Sequence, residues 1–182
     1  MSFYQVYRPK YFSEVIGQEH VIAVLRGQAQ IRKFHHAYLF FGASGTGKTT
    51  TARILASALN CANLDGTGEP CGKCPSCRLI RESHHWDTTE IDGARFRGID
   101  DVRELVFKAH LYPIGSSRKV YIIDEAHSLT PDAFNVLLKL LEEPPPFCVM
   151  ALCTTHFEKI PDTISSRCIL LPFHPLKSRE IR

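Results

Sequence analysis

Ala37 to Thr49 reads AYLFFGASGTGKT, an apolar run that stops at glycine and passes at once into a Gly-rich turn. The last eight residues, Gly42-Ala43-Ser44-Gly45-Thr46-Gly47-Lys48-Thr49, fit G-x-x-x-x-G-K-[ST] at every fixed position. Ala37 to Phe41 is short enough to be a buried strand, and a helix runs from about Lys48 to Asn60. Strand, Gly-rich turn and helix in that order are the context the motif requires. Glycines let backbone N–H groups turn inward onto phosphate oxygens, and the helix N-terminus adds partial positive charge. In such a loop Lys48 reaches the β- and γ-phosphates and Thr49 offers its hydroxyl to Mg²⁺. A Gly-rich turn that binds nothing is the alternative, and the agreement of pattern with flanks weighs against it.

Outward from the loop, helix and strand signals alternate. Gln18 to Lys33 carries Val21, Ile22, Val24, Leu25 and Ala29 at helical spacing. Cys61 to Cys77 is a polar insertion rich in Gly and Cys. Trp86 to Asp92 is expected as a strand, Ile99 to His110 as a helix, and Val120 to Asp124 as a β-branched buried strand. Pro131 to Glu143 is expected as a helix that starts at proline and stops at Pro144-Pro145-Pro146. Phe147 to Thr154 and Cys168 to Phe173 complete the strands, with a short helix from Pro161 to Arg167 between them. Strands alternating with helices predict an α/β fold, a five-stranded parallel sheet with helices on both faces. Residues 1–175 form one domain, with the insertion at about 61–80, and 176–182 begin a further helix.

The 182 residues are 44% apolar and 23% charged, which excludes a disordered chain. Lys plus Arg number 22 and Asp plus Glu 19, so a net charge of +3 does not by itself argue for nucleic acid. No apolar run approaches the roughly 18 residues of a membrane span. MSFYQVYRPK lacks the layout of a signal peptide, so a cytoplasmic protein without a membrane partner is expected. In that compartment seven cysteines read as metal ligands or free thiols.

Two further clusters carry chemistry. VYIIDEAH sets Asp124 and Glu125 at the C-terminal end of an apolar strand, the edge where open parallel sheets hold ligands. Asp124 would hold Mg²⁺ through water, and Glu125 would act on the attacking water as base or orienting group. A surface acid pair capping the next helix is the alternative. His127 reads as a packing or helix-start residue. Cys61, Cys71, Cys74 and Cys77 have ligand spacing for a tetrahedral, closed and therefore structural Zn²⁺ site. An iron–sulfur cluster and unligated thiols remain the alternatives. Metal loss is expected to unfold the insertion and spare the nucleotide site. Cys148, Cys153 and Cys168 read as small core residues.

Taken together, these stretches resemble the N-terminal ATPase domain of the bacterial DNA polymerase III γ/τ family of clamp-loader subunits. The resemblance rests on YRPKYFSEVIGQEHV (Tyr7 to Val21), HHAYLFFG (His35 to Gly42), the phosphate loop, the cysteine cluster and KVYIIDEAH (Lys119 to His127). It continues through FNVLLKLLEEPP (Phe134 to Pro145), CTTHFEKIP (Cys153 to Pro161) and SRC (Ser166 to Cys168). It implies an AAA+ fold with a RecA-like P-loop core, and ATP with Mg²⁺ and a structural Zn²⁺ as cofactors. It assigns Arg8, Pro9, Val15, Ile16 and Gly17 to the adenine cradle, and Gly42, Ala43, Ser44, Gly45, Thr46, Gly47, Lys48, Thr49 and Thr50 to the phosphates. Lys48 and Glu125 become catalytic, Thr155 (next to Thr154) the sensor of the γ-phosphate, and Arg167 a finger acting in trans on a neighbouring subunit. Arg103 and Lys139 match DNA-facing positions, with Arg95 and Arg97 as nearby candidates.

The implied partners are the other subunits of a hetero-pentameric loader, the sliding clamp, primer–template DNA and the replicative polymerase. The implied function is ATP-driven loading of the clamp for processive replication, with polymerisation left to a partner subunit. RFRG at Arg95 to Gly98 and His156 depart from the family pattern. The family's helical lid and collar lie beyond this chain, so isolated Met1 to Arg182 is expected to hydrolyse ATP poorly. A non-hydrolysing scaffold and another AAA+ DNA motor, such as a branch-migration helicase, are the competing readings. The complete phosphate loop argues against the first, and the cysteine insertion with LLKLLEEPP against the second.

Overall fold

The computed structural model describes residues 8–96 and 98–176. Tyr7, Arg97 and the expected lid start from residue 177 onward lie outside the described residues. Five strands form one parallel sheet: β1 (Ala37–Gly42), β2 (Thr88–Asp92), β3 (Lys119–Asp124), β4 (Cys148–Thr154) and β5 (Ile169–Phe173). Their spatial order is β2-β3-β4-β1-β5. The helices are α1 (Glu19–Gln30), α2 (Lys48–Leu59), α3 (Pro75–Arg81), α4 (Ile99–Ala109), α5 (Pro131–Glu142) and α6 (Asp162–Ser165).

The period-two alternation of the central strands decides the layering. Tyr38, Phe40, Val120, Ile122, Val149, Ala151 and Cys153 face one way and pack against Leu25 of α1, Leu55 of α2 and Ile80 of α3. Ala37, Leu39, Tyr121, Ile123, Met150 and Leu152 face the other way, against Leu105 of α4, Leu137 and Leu141 of α5 and Ile164 of α6. Each central strand is apolar on both faces, so it reads as a continuous hydrophobic run. Cys148 and Cys153 are core residues as expected, and Cys168 is half-buried.

The strand expected at Trp86 begins at Thr88. Trp86 is exposed, and Asp87, only 1% exposed, spends both carboxylate oxygens on a later loop. α3 lies within the cysteine-rich stretch and continues beyond it, where no helix was expected. Its signal was present, since Pro75 occupies the first turn, where a missing N–H costs nothing.

Candidate functional site

Because the strands are parallel, the C-terminal ends of β1, β3 and β4 lie along one edge of the sheet. The register pairs Phe41 with Thr154 and Ile123 with Leu152. The phosphate loop leaves β1 at Gly42, whose φ is +145°. A Cβ there would lie 2.1 Å from the Phe173 carbonyl oxygen of β5, so only glycine fits. Gly47 adopts a left-handed conformation immediately before α2. Ala43, Ser44 and Gly45 are exposed at the mouth of the loop. Thr46 Oγ1 donates to the Ala43 carbonyl at 2.8 Å, and Thr51 Oγ1 to the Gly47 carbonyl at 3.0 Å, which fixes the loop from inside. Thr50 follows Thr49 in the first turn of α2.

Lys48 is 7% exposed. Its ammonium donates to the carbonyls of Gly42 at 2.9 Å and Ala43 at 2.8 Å. Burial lowers its pKa from the ordinary lysine value, and the nearby Asp124 and Glu125 carboxylates oppose that shift. Thr49 Oγ1 donates to Asp124 Oδ2 at 2.8 Å. A hydroxyl oriented by a carboxylate in this way suits Mg²⁺, with Thr49 Oγ1 placed for direct ligation and Asp124 for contact through a bound water.

Glu125 stands in the left-handed region at φ +48°. Its side chain reaches the end of β4. Thr155 Oγ1 donates to Glu125 Oε2 at 3.1 Å. His127 Nδ1 lies 3.0 Å from Thr154 Oγ1 and 3.4 Å from Glu125 Oε2. The acid pair, the two threonines and His127 thus form one connected group. Gly93 closes the floor beneath it: its N–H donates to the Asp124 carbonyl at 2.7 Å, and a Cβ would lie 2.8 Å from the Glu125 carbonyl oxygen.

Arg167 is elsewhere. Its guanidinium donates to the Thr163 carbonyl at 2.7 Å and to Glu142 Oε1 at 2.8 Å, on α5. Arg103 is exposed on α4 and pairs with Asp100 at 2.9 Å; Lys139 is exposed on α5, and Arg95 pairs with Asp92 at 3.5 Å. Val15 is half-buried and Ile16 is 57% exposed, beside Gly17 at φ +74°. Arg8 and Pro9 line a cavity of about 720 Å³ with Arg53 and Ile54 of α2.

The Sγ atoms of Cys61, Cys71, Cys74 and Cys77 all lie within 4.8 Å of one another. A tetrahedral Zn²⁺ with Zn–S bonds of about 2.3 Å spaces its sulfurs about 3.8 Å apart, so the four thiols fit that ion. Cys71 N–H donates to Cys61 Sγ at 3.2 Å, and Cys74 N–H to Cys71 Sγ at 3.3 Å. Burial opposes ionisation of Cys71, but the N–H groups of Lys73 and Cys74 overcome it and bring the thiol down to about 6.

Several contributors escaped the reading of the sequence. Gln18 is fully buried and bonds the His174 backbone in both directions, donating at 2.7 Å and accepting at 3.1 Å. That pair anchors the segment carrying Val15 and Ile16 to the chain after β5. Glu69 and Asp87 are partners of distant backbone, and no local periodicity marks them. The coupling of His127 to Thr154 joins the ends of two strands and has no signature in either.

Residues 17–177 match the protein family described as DNA polymerase III, delta subunit. The chain is 45% identical to the DNA polymerase III subunit tau of Bacillus subtilis over 99% of its own length and 32% of that protein. It is 42% identical to the DNA polymerase III subunit gamma of Buchnera aphidicola over 96% of its length and 47% of that protein. It therefore spans between about a third and a half of these relatives. Among solved structures, a DNA polymerase III gamma subunit-related protein of Thermotoga maritima superposes with a TM-score of 0.63 at 23% identity, covering 85% of this chain and 47% of that one. The RuvB Holliday junction branch migration motor of Thermotoga maritima superposes with a TM-score of 0.66 at 24% identity, covering 96% and 51%. These two likenesses establish the fold, a RecA-like P-loop core.

Proposed function

The chain belongs to the DNA polymerase III delta-subunit family, and on that premise we propose that it is the ATP-binding and ATP-hydrolysing region of a γ/τ-type clamp-loader subunit. The observation that carries the reading is the 2.8 Å contact between Thr49 and Asp124, with Glu125 and Thr155 bonded alongside at 3.1 Å. Cation ligands, base and sensor meet at one sheet edge, beside a complete phosphate loop.

The residues divide the work. Backbone N–H groups from Gly42 to Thr49 hold the phosphates, and Thr50 lies beside them. Lys48 exchanges its two carbonyl partners for β- and γ-phosphate oxygens. Thr49 would hold Mg²⁺ directly and Asp124 through water, and the ion would neutralise phosphate charge. Glu125 orients a water towards the γ-phosphorus and takes its proton. Thr155 reports the γ-phosphate to Glu125 through the bond they share. Arg8, Val15 and Ile16 receive adenine, where an exposed Ile16 has apolar surface to offer. Arg167 has its partners on α5 and α6, and it serves the site of a neighbouring subunit.

ATP binding would assemble the loader around primer–template DNA, and hydrolysis would release the clamp for the polymerase. Arg103 and Lys139 would contact DNA phosphates. The clamp would dock on the apolar patch at the end of α4, where Phe107, Tyr112 and Ile114 are 67%, 81% and 79% exposed. The four cysteines would hold a structural Zn²⁺ that closes the insertion. The identities of 42–45% with γ and τ subunits favour this reading over a branch-migration motor, whose likeness is of fold.

The test is ATP hydrolysis by the full-length protein with the other loader subunits, with and without clamp and primed DNA. Clamp and DNA should stimulate it strongly, and Lys48→Ala and Arg167→Ala should each abolish the stimulation. Undiminished turnover with Lys48→Ala would refute the assignment.

A further inference from the structure

The cysteine module is built into the same side of the molecule as the base-binding segment. Between Cys61 and Cys71 the chain turns on Asp65, whose Oδ1 accepts from the N–H groups of Thr67 at 2.9 Å and Glu69 at 3.1 Å. That turn delivers the Glu69 carboxylate to a second piece of backbone. Phe12 N–H donates to Glu69 Oε2 at 2.8 Å, and Ser13 N–H to Glu69 Oε1 at 3.0 Å. These two donors open the single helical turn Phe12–Glu14, so an acid 57 residues away caps it. Val15 and Ile16 follow directly.

Other contacts run the same way. Gly72 lies in the knuckle between Cys71 and Cys74 at φ +66°, and a Cβ there would stand 2.4 Å from the Tyr11 hydroxyl. Arg26 Nε and Gln30 Nε2 of α1 both donate to the Thr67 carbonyl, at 3.3 and 3.2 Å. Pro70 and Ile80 of the module share the 720 Å³ cavity with Arg8 and with Arg53 of α2. The segment before α1 is therefore held against the cysteine module, through Glu69 and Gly72.

We propose that Glu69 is a positioning residue through which the metal-closed cysteine module holds the Tyr11–Ile16 segment in place to receive the nucleotide base. This rests on the nucleotide reading given above. Cys61 and Cys71 bracket the loop that carries Glu69. Tying their sulfurs into one site fixes both ends of that loop, and releasing them returns its closure entropy. The phosphate loop is built from β1 and α2, and none of its hydrogen bonds involves Tyr11 to Ile16. The effect is therefore selective: affinity for the base falls while affinity for the triphosphate stays. On this proposal metal loss reaches the nucleotide site through its base-binding segment, where the sequence reading expects that site to be spared.

The experiment uses the full-length protein. Dissociation constants are measured for Mg·ATP and for inorganic triphosphate in the Zn²⁺-loaded protein, after chelation, after Zn²⁺ is restored, and in Glu69→Ala, Glu69→Gln and Tyr11→Ala. Zinc content and circular dichroism are recorded on every sample. Glu69→Ala should keep its zinc and weaken ATP about tenfold, the scale of a lost charge-assisted hydrogen bond. Its triphosphate affinity should stay within about twofold of wild type on the same scale. Glu69→Gln keeps one acceptor oxygen and should fall between, and Tyr11→Ala should repeat the selective loss. Chelation should reproduce Glu69→Ala, and added Zn²⁺ should reverse it. Unchanged ATP affinity in zinc-replete Glu69→Ala and Tyr11→Ala overturns the proposal, as does an equal loss for ATP and triphosphate. If the zinc-loaded wild type binds neither ligand, the nucleotide reading itself fails and the proposal falls with it.

Discussion

His127 sits 3.0 Å from the Thr154 hydroxyl and 3.4 Å from the Glu125 carboxylate, with its side chain 14% exposed. Burial is the main force lowering its pKa from 6.5; Glu125 and Glu158 oppose that shift, and His156 and Lys159 add to it. The ring is therefore neutral at pH 7. As pH falls from 6.5 through the lowered pKa, the ring gains a charge beside Glu125. An ion pair then competes with the proton that Glu125 would accept in the proposed hydrolysis. Hydrolysis should decline along that limb, and His127→Gln should flatten it with ATP affinity unchanged. A pH–rate profile for both proteins checks this. An unaltered acid limb in the variant would return His127 to the packing role expected from sequence.

At the scale of elements, Asp87 does more than end a loop. It accepts from Ile114 N–H at 2.8 Å, Gly115 N–H at 2.9 Å and the Ser116 hydroxyl at 2.7 Å. It thereby pins the connection from α4 to β3, which carries Tyr112 and Ile114. Burial alone would raise the Asp87 pKa, but these donated bonds reverse it and hold the carboxyl below the ordinary value. Its stabilising contribution is present above the unfolded pKa of about 3.9 and is lost as pH falls through the folded one. Asp87→Ala leaves two backbone donors without their partner and should cost about 2–3 kcal/mol in denaturant unfolding. Asp87→Asn should cost less and remove this part of the acid lability. A second prediction concerns the loop itself. Tyr112→Glu with Ile114→Glu should weaken clamp binding at least tenfold, measured by surface plasmon resonance, with ATP affinity intact.

At the scale of the whole molecule, Arg167 is held outside the phosphate-loop group. Its partners, Thr163 and Glu142, lie on the chain's own surface. A half-exposed pair of this kind contributes at most about 1 kcal/mol, so an assembly that offers phosphate charge can recruit the guanidinium. In a reconstituted loader, Arg167→Ala in one subunit should leave that subunit's ATP binding intact. Hydrolysis in the neighbour should fall by about 10³-fold or more. Single-turnover assays on loaders carrying one marked variant subunit separate the two sites. Loss in the same subunit, with the neighbour unaffected, would show the arginine acting in cis.

The sequence determined the elements and the chemistry carried by short motifs. GASGTGKT, the apolar run before Asp124-Glu125 and the cysteine spacing are local patterns, and local backbone physics suffices to read them. Pro75 after Cys74 marks the start of α3 in the same way. Only the tertiary structure decided which distant groups meet. The strand order brings Thr154 and Thr155 to the group around Glu125, the half-buried carboxylate of Glu69 finds the Phe12 backbone, and Asp87 finds Ile114. Such contacts satisfy polar groups that burial has removed from water. Their partners are set by the packing of the sheet and its helices, so residue type and spacing along the chain carry no trace of them.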